Sequence, residues 1–459
     1  MIRHKLTVCR YVLVFAFCQP FQCISAQNEP DTVSYHLKQL LQLAVQNNKD
    51  MQLVSLELQR AKQQAAVQKS KYLPKVDAFA DYYWLWGNVP LFIFPENEGS
   101  ILSGGTSDGF YPVSVGLPNN LLAGVTLSQR LFEFSFLSYG KGKEALNTIE
   151  TEKIQENKEQ LIYDVSACYY EISQLAAKED FIDFNIGRIN RMIEILQIQI
   201  KNQMADSLQL LDLELKNAEL WMAKSELISG IQRKSDYLRI LAGLPDSLVI
   251  ACAPMDDVPG LKWSPDSYDT EGSIQMKLLN QAQTINDLSQ KLVQSEYLPT
   301  LDFKANLLWS SQSQDLGFFS SQAYGNNIST LGLKLDIPIY HGAEKKNKIQ
   351  ELEIGKHMLD LQKQKLKEGF QLQYSNSKKE LEFKTARFLH QQEITQLKKR
   401  YLEKANRQFE QGILSLKDLL DAQSGLLEAQ VKLTEMSFDM KLAELDYLKY
   451  SNQILTLFE

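Results

Sequence analysis

No proline occurs between Pro118 and Pro245, and none follows Pro338. A proline inside a helix costs roughly 3 kcal/mol, so two stretches of over a hundred residues are free to form very long helices. A compact α/β enzyme would instead break its pattern with a turn after almost every strand and short helix. With 44% hydrophobic and 10% aromatic residues, the 459-residue chain is too apolar for disorder. The net charge of -7 argues against nucleic acid as a partner, because phosphate binding needs a basic excess. Five cysteines and five histidines are too few and too scattered for a disulfide scaffold or a metal cluster. No cofactor and no metal are expected.

Residues 1–26 read as a secretory signal peptide. Arg3, Lys5 and Arg10 make a positive start, and no acid occurs before Glu29. Tyr11 to Phe17 is an apolar core too short to span a bilayer, and Ser25-Ala26 offers small residues for cleavage. Loss of this segment removes Cys9, Cys18 and Cys23 and takes the net charge from -7 to -10. A lipid-bearing cysteine needs a small residue before it, whereas Phe17 and Gln22 precede Cys18 and Cys23. No later run of 18 apolar residues predicts a transmembrane helix, but membrane-crossing β-strands leave a weaker trace.

An internal repeat organises the rest. Lys71-Tyr72-Leu73-Pro74-Lys75-Val76-Asp77 matches Glu296-Tyr297-Leu298-Pro299-Thr300-Leu301-Asp302 at an offset of 225, which also carries Trp84 onto Trp309. Val125 to Phe132 matches Leu333 to Tyr340 at an offset of 208, which carries Ser207 onto Ser415. The pattern predicts a tandem duplication, each half reading helix, strand, loop, strand, very long helix, helix. The first repeat would run over 27–245, with strands near 75–86 and 122–133 and helices over 138–242. A connector would occupy 246–271. The second repeat would run over 272–459, with strands near 300–310 and 329–340 and helices over 342–455.

The strands alternate strictly. Val76, Ala78, Ala80, Tyr82, Trp84 and Trp86 face one way; Leu301, Phe303, Ala305, Leu307 and Trp309 do the same in the other copy. A soluble, half-buried sheet gives this alternation in any single strand. Four such strands after a signal peptide point to a barrel with lipid outside and water inside. Four strands cannot close a barrel, and open edges are forbidden in lipid, so several chains must share one. Tyr82, Trp84, Trp86 and Trp309 would form an interfacial aromatic girdle, and Gly87 to Asn120 a loop outside the cell.

The helices carry coiled-coil spacing. Leu161, Val165, Cys168, Ile172, Leu175, Ile182, Ile186, Ile189, Ile193, Leu196 and Ile200 alternate by four and three, interrupted at Glu179. Leu419, Ala422, Leu426, Ala429, Leu433, Met436, Met440, Ala443, Tyr447 and Tyr450 do so without a break. Such spacing predicts left-handed supercoiled seams. Gly140 to Gln203 alone would make a rod of roughly 95 Å.

A secreted chain with two helix–hairpin–helix halves, Tyr-Leu-Pro before each first strand, and the run Gln411-Gly412-Ile413-Leu414-Ser415-Leu416-Lys417-Asp418-Leu419-Leu420-Asp421-Ala422 resembles the TolC-like outer membrane efflux proteins. The similarity covers roughly 36–455. It implies a mainly α fold with a transmembrane β-barrel: a homotrimer whose protomers each give four strands to a twelve-stranded barrel in outer-membrane lipid, continued by a periplasmic α-barrel. It implies a passive exit duct of a tripartite efflux or type I secretion system, met at its periplasmic tip by an adaptor (a membrane fusion protein) and through it by an inner-membrane transporter. The tip turns would be Met204, Ala205, Asp206 and Ser207, then Gly412, Ile413, Leu414 and Ser415. Family members close the tip with aspartate rings, and the matching positions are Asp418 and Asp421. Ser415 to Asp418 is equally a capping box. The chain departs from the family at Met204, where the turn glycine belongs, and at Leu210, where an acid belongs. Phe409 and Leu414 replace a polar lock.

Catalysis is not expected. His341, His357 and His390 are too far apart for a helical metal pair, and Cys168 lies on the seam as a small hydrophobe. Gly140-Lys141-Gly142-Lys143 lacks phosphate-loop spacing; Gly140 and Gly142, like Gly342, would turn the chain from strand into helix. Lys345-Lys346 and Lys398-Lys399-Arg400 read as solvated helix faces. The rival class is a non-channel periplasmic or surface coiled-coil scaffold. A hydrolase with a helical appendage is a second rival, without a visible nucleophile–base pair.

Overall fold

The computed structural model describes residues 32–86, 89–93, 111–202, 206–245, 249–252, 269–340 and 342–458. The signal peptide, most of the connector, Met204, Ala205 and His341 lie outside the described residues. Two helices dominate: α3 (Phe136–Lys201) and α6 (Glu344–Glu410). At 1.5 Å per residue each is about 100 Å long. Each returns on a shorter partner, α4 (Ser207–Ala242) and α7 (Leu416–Tyr450), and α3 also packs along α7. Helices α1 (Leu37–Asn47), α2 (Lys49–Ser70) and α5 (Ile274–Ser295) and a 3-10 turn (Ile454–Leu457) are the other helical elements among the described residues. Among the described residues no helix is long and apolar enough to cross a membrane.

Apolar spacing explains where the long helices touch. Leu161, Val165, Cys168, Ile172, Ile182, Ile186, Ile189 and Leu196 are all buried on α3, as are Leu419, Ala422, Ala429, Ala443 and Tyr447 on α7. The main core lies midway along α3 and near the C-terminal ends of α4 and α7. There Ile162, Val165, Tyr169 and Tyr170 of α3 meet Leu40 and Leu41 of α1, Leu238 of α4 and Leu445 of α7. Asn48 separates α1 from α2. Its Oδ1 accepts from the backbone N–H groups of Asp50 and Met51, and its Nδ2 donates to the Leu241 carbonyl, so one side chain caps α2 and ties it to α4.

The main sheet has four antiparallel strands in the order β2, β5, β7, β8: β2 (Lys75–Trp84), β5 (Asn119–Phe132), β7 (Thr300–Ser313) and β8 (Tyr324–Asp336). The last strand stops at Asp336, short of the expected 340, because Pro338 cannot donate to a ladder. The expected loop over 87–120 carries a ribbon, β3 (Val89–Ile93) with β4 (Tyr111–Val115), and the first residues of β5. Pro90 and Pro112 are tolerated because a two-stranded ribbon has a free edge on each side. Within the expected connector, β6 (Val249–Cys252) pairs in parallel with β1 (Thr32–Tyr35).

Gly140 and Gly142 correct a further expectation. Both lie inside α3, which begins at Phe136, and the turn out of β5 is made by Glu133 to Ser135. Gly342 does make its turn, with φ +67°. Truncation of the fully buried Leu238 to Ala is expected to remove about 2–5 kcal/mol of stability, read as a drop in apparent Tm by circular dichroism. Lys399→Ala, on an exposed face, should leave the transition in place.

Candidate functional site

Residues paired across an antiparallel ladder share a face, and neighbours along a strand alternate. The register therefore lays out both faces of the sheet. One face carries the rows Val76–Leu127–Ala305–Leu331, Ala78–Val125–Leu307–Ser329 and Ala80–Ala123–Trp309–Asn327. The other carries Lys75–Ser128–Lys304–Gly332, Asp77–Thr126–Asn306–Thr330 and the Arg130–Asp302–Lys334 row. The apolar face has no cover among the described residues: Leu307, Leu331 and Leu333 are 64%, 78% and 66% exposed. Isolated apolar residues on a surface are ordinary, but continuous rows mark a surface made for another apolar medium. The polar face has one apolar row, Phe79–Gly124–Leu308–Ile328. Gly124 is required there, since a Cβ would lie 2.5 Å from the Leu307 carbonyl oxygen.

The four singled-out aromatics fall in the half of the sheet remote from the helices. Trp84 and Trp86 touch, with ring centroids 4.9 Å apart. Trp309 stacks on Phe319 at 5.1 Å, and Tyr82 meets Phe318 edge-on at 5.8 Å. The Tyr82 hydroxyl donates to Asn119 Oδ1, whose amide in turn donates to the Gln314 carbonyl. Phe318, Phe319 and Asn119 were missed from sequence; the Phe-Phe pair directly after Gly317 was the available signal.

The opposite end of the helices holds both turns. Leu196 of α3, Leu213 of α4 and Leu420 of α7 form one cluster, which brings the two hairpin tips side by side. Leu210, standing where the resembled family has an acid, packs against this cluster. Leu414 packs against a second one, made by Leu402, Ala405, Leu419 and Ala422. In the second turn Gly412 adopts φ +73°, and the N–H of Ile413 returns to the Gln408 carbonyl, closing the end of α6. Ser415 then caps α7, its Oγ accepting from the Asp418 N–H at 3.2 Å and donating to Asp418 Oδ2 at 2.6 Å. Asp418 thus serves as a cap partner, whereas Asp421 is exposed and makes no hydrogen bond or ion pair among the described residues. In the first turn Asp206 caps α4 by accepting from the Leu208 N–H, with Ser207 as the first helical residue.

His357 and His390 are exposed and separated along α6, and no group of three metal-ligating side chains occurs among the described residues. Burial pushes the Cys168 thiol up to about 12, and its Sγ donates to the Lys234 carbonyl, both of which favour the protonated thiol. Lys345 is not merely solvated: its ammonium donates to the Glu296 carbonyl and lies over the Tyr297 ring.

Several solved outer membrane channels share this architecture. CusC, described in terms of transmembrane channel formation, superposes with a TM-score of 0.68 at 14% identity, covering 92% of each chain. The CmeC outer membrane channel of Campylobacter jejuni gives 0.67 at 15% identity, covering 91% of this chain and 85% of its own. The MtrE outer membrane channel of Neisseria gonorrhoeae, in its open state, gives 0.67 at 13% identity, covering 91% and 89%. No protein-family model and no curated protein matches the chain by sequence.

Gly412 and Gly243 offer a test of the turn geometry. Both have positive φ, but a Cβ at Gly412 meets open space, while at Gly243 it would lie 2.6 Å from the Asn47 carbonyl oxygen. Gly412→Ala should cost only the left-handed backbone strain, about 1–2 kcal/mol, and Gly243→Ala distinctly more, as apparent Tm reports. With its paired long helices, its four-stranded sheet and its superposition over nine-tenths of its length, the chain has the fold of the TolC-like outer membrane factor channels.

Proposed function

We propose that the chain is the outer-membrane channel of a tripartite efflux or type I secretion system, a passive exit duct that catalyses nothing. The observation that carries this reading is a sheet with one uncovered apolar face and two outer edges, on β2 and β8, that have no strand partner among the described residues. In hydrocarbon every unpaired backbone group costs several kcal/mol, so copies of the chain must supply the missing partners. Three copies would give twelve strands, the barrel implied by the family. The apolar rows would then face lipid, the polar rows the aqueous path, and Tyr82, Trp84, Trp86 and Trp309 the interface. The uncovered sides of the long helices would meet neighbouring copies: Leu361 and Tyr401 on α6, and Met222 and Ile240 on α4, are all more than half exposed.

The helical hairpin tips would extend into the periplasm and present Asp206, Ser207 and Gly412 to Ser415 to an adaptor, through which an inner-membrane transporter drives export. Asp421 would form a ring of three carboxylates at the closed tip, with Asp418 beside it in its cap. Crowded like charges hold cations. Leu210 and Leu414, packed on apolar clusters at the tips, would make closure depend more on apolar contact than on polar locks.

Purified protein should be a detergent-requiring trimer that conducts in planar bilayers, and Leu307→Lys should abolish assembly. A monodisperse monomer that stays in solution without detergent would end the channel reading in favour of a coiled-coil scaffold. At the tip, Asp421→Asn should weaken cation block of the conductance, and adding Asp418→Asn should change it little further. An unchanged cation response in the double variant would remove the gate and leave the duct.

A further inference from the structure

Where the sheet meets the helices, α2, α3, α5 and the end of β5 enclose a half-open cavity of about 580 Å³. That lies within the usual size of small-molecule pockets, ~300–1,000 Å³. Leu146 of α3 and Ile285, Leu288 and Leu292 of α5 give it an apolar wall. Leu288 is buried, but Leu146 and Leu292 remain 38% and 40% exposed, so the wall is not filled by the chain itself.

The charges around this wall are unevenly matched. Arg130 lines the cavity but is committed, donating to Asp302 at 2.9 Å and to Glu133 at 2.8 Å. Lys71 and Lys143 also line it, and neither makes an ion pair among the described residues. Glu296 is the one lining carboxylate without such a partner. Two free ammonium groups against one free carboxylate, beside uncovered leucines, suit a ligand with an apolar tail and an acidic head. Lys71 and Lys143 are both exposed at the rim, where a charge-assisted hydrogen bond to an acidic head is stronger than a neutral one.

We propose that this cavity binds an anionic amphiphile, with an acyl chain along Leu146, Leu288 and Leu292 and the acidic group held by Lys71 and Lys143. The ligand could come from the membrane as an acidic phospholipid or from the duct as a fatty-acid-like solute; the chemistry is the same. The site itself does not depend on the channel reading, since its walls come from one chain; only the phospholipid source does.

The test uses full-length protein in mild detergent, titrated with the fluorescent fatty acid 11-(dansylamino)undecanoate. The expected result is saturable binding of one probe per chain. Lys71→Gln with Lys143→Gln should raise Kd about tenfold or more, the loss expected for charge-assisted hydrogen bonds. Gly142→Leu is an independent variant: Gly142 lines the cavity inside α3, with nothing within 4 Å of its Cβ position, so leucine there fills the space without obstructing the helix. It should also abolish saturable binding. Displacement by phosphatidylglycerol but not oleate would identify the membrane source, and displacement by oleate alone the solute source. Non-saturable uptake that follows detergent concentration, or binding untouched by both variants, would overturn the proposal. Binding that persists in protein that does not conduct would sink the channel reading and leave this site standing.

Discussion

Everything in this molecule hangs on apolar residues meeting every three and four positions along helices of about 100 Å. A single helix of that length has no interior, and its apolar stripe is stable only against another helix. Ile182, Ile186, Ile189 and Leu196 on α3 are buried because α4 and α7 run beside them. Alanines at Ala422, Ala429 and Ala443 keep α7 close to its partners. Each buried leucine or isoleucine contributes roughly 1.5–3 kcal/mol, so many shallow contacts replace one deep core. The broadest core among the described residues, around Tyr169, Tyr170 and Leu445, sits where α1 and the C-terminal turn thicken the bundle.

The helices also set what the sheet can do. Strands β2 and β7 each follow a helix after a Leu-Pro turn, and β5 and β8 each lead into a very long helix. The ladder register turns four alternating sequences into two continuous faces. A slip of one residue would invert a strand and mix leucines into the Asp77–Thr126–Asn306–Thr330 row. Among the described residues no helix packs closely on the sheet's apolar face, where Leu307, Leu331 and Leu333 stay exposed.

Much of this was legible in the residues. The heptad positions on α3 and α7 and the period-2 pattern of the strands are local, and local patterns survive into the fold because nothing in the tertiary structure opposes them. Other features were not. Gly140 and Gly142 suggested a turn, but flanking helix formers carried α3 through them. Val249 to Cys252 is too short to announce a strand until β1 lies beside it. Asp418 reads from sequence as either cap or gate; the bond from Ser415 engages its carboxylate in the cap, while Asp421 has no partner among the described residues.

Proline placement, apolar period and the doubled Tyr-Leu-Pro motif by themselves determined that this chain makes long rods joined to short alternating strands, because each is a property of neighbouring residues. Tertiary structure alone decided which strands are neighbours, that Tyr82 bonds Asn119 and Trp309 stacks on Phe319, and that a cavity opens between α2, α3 and α5. Those depend on residues far apart in the chain, whose proximity is set by how the helices pack and is written in no local spacing.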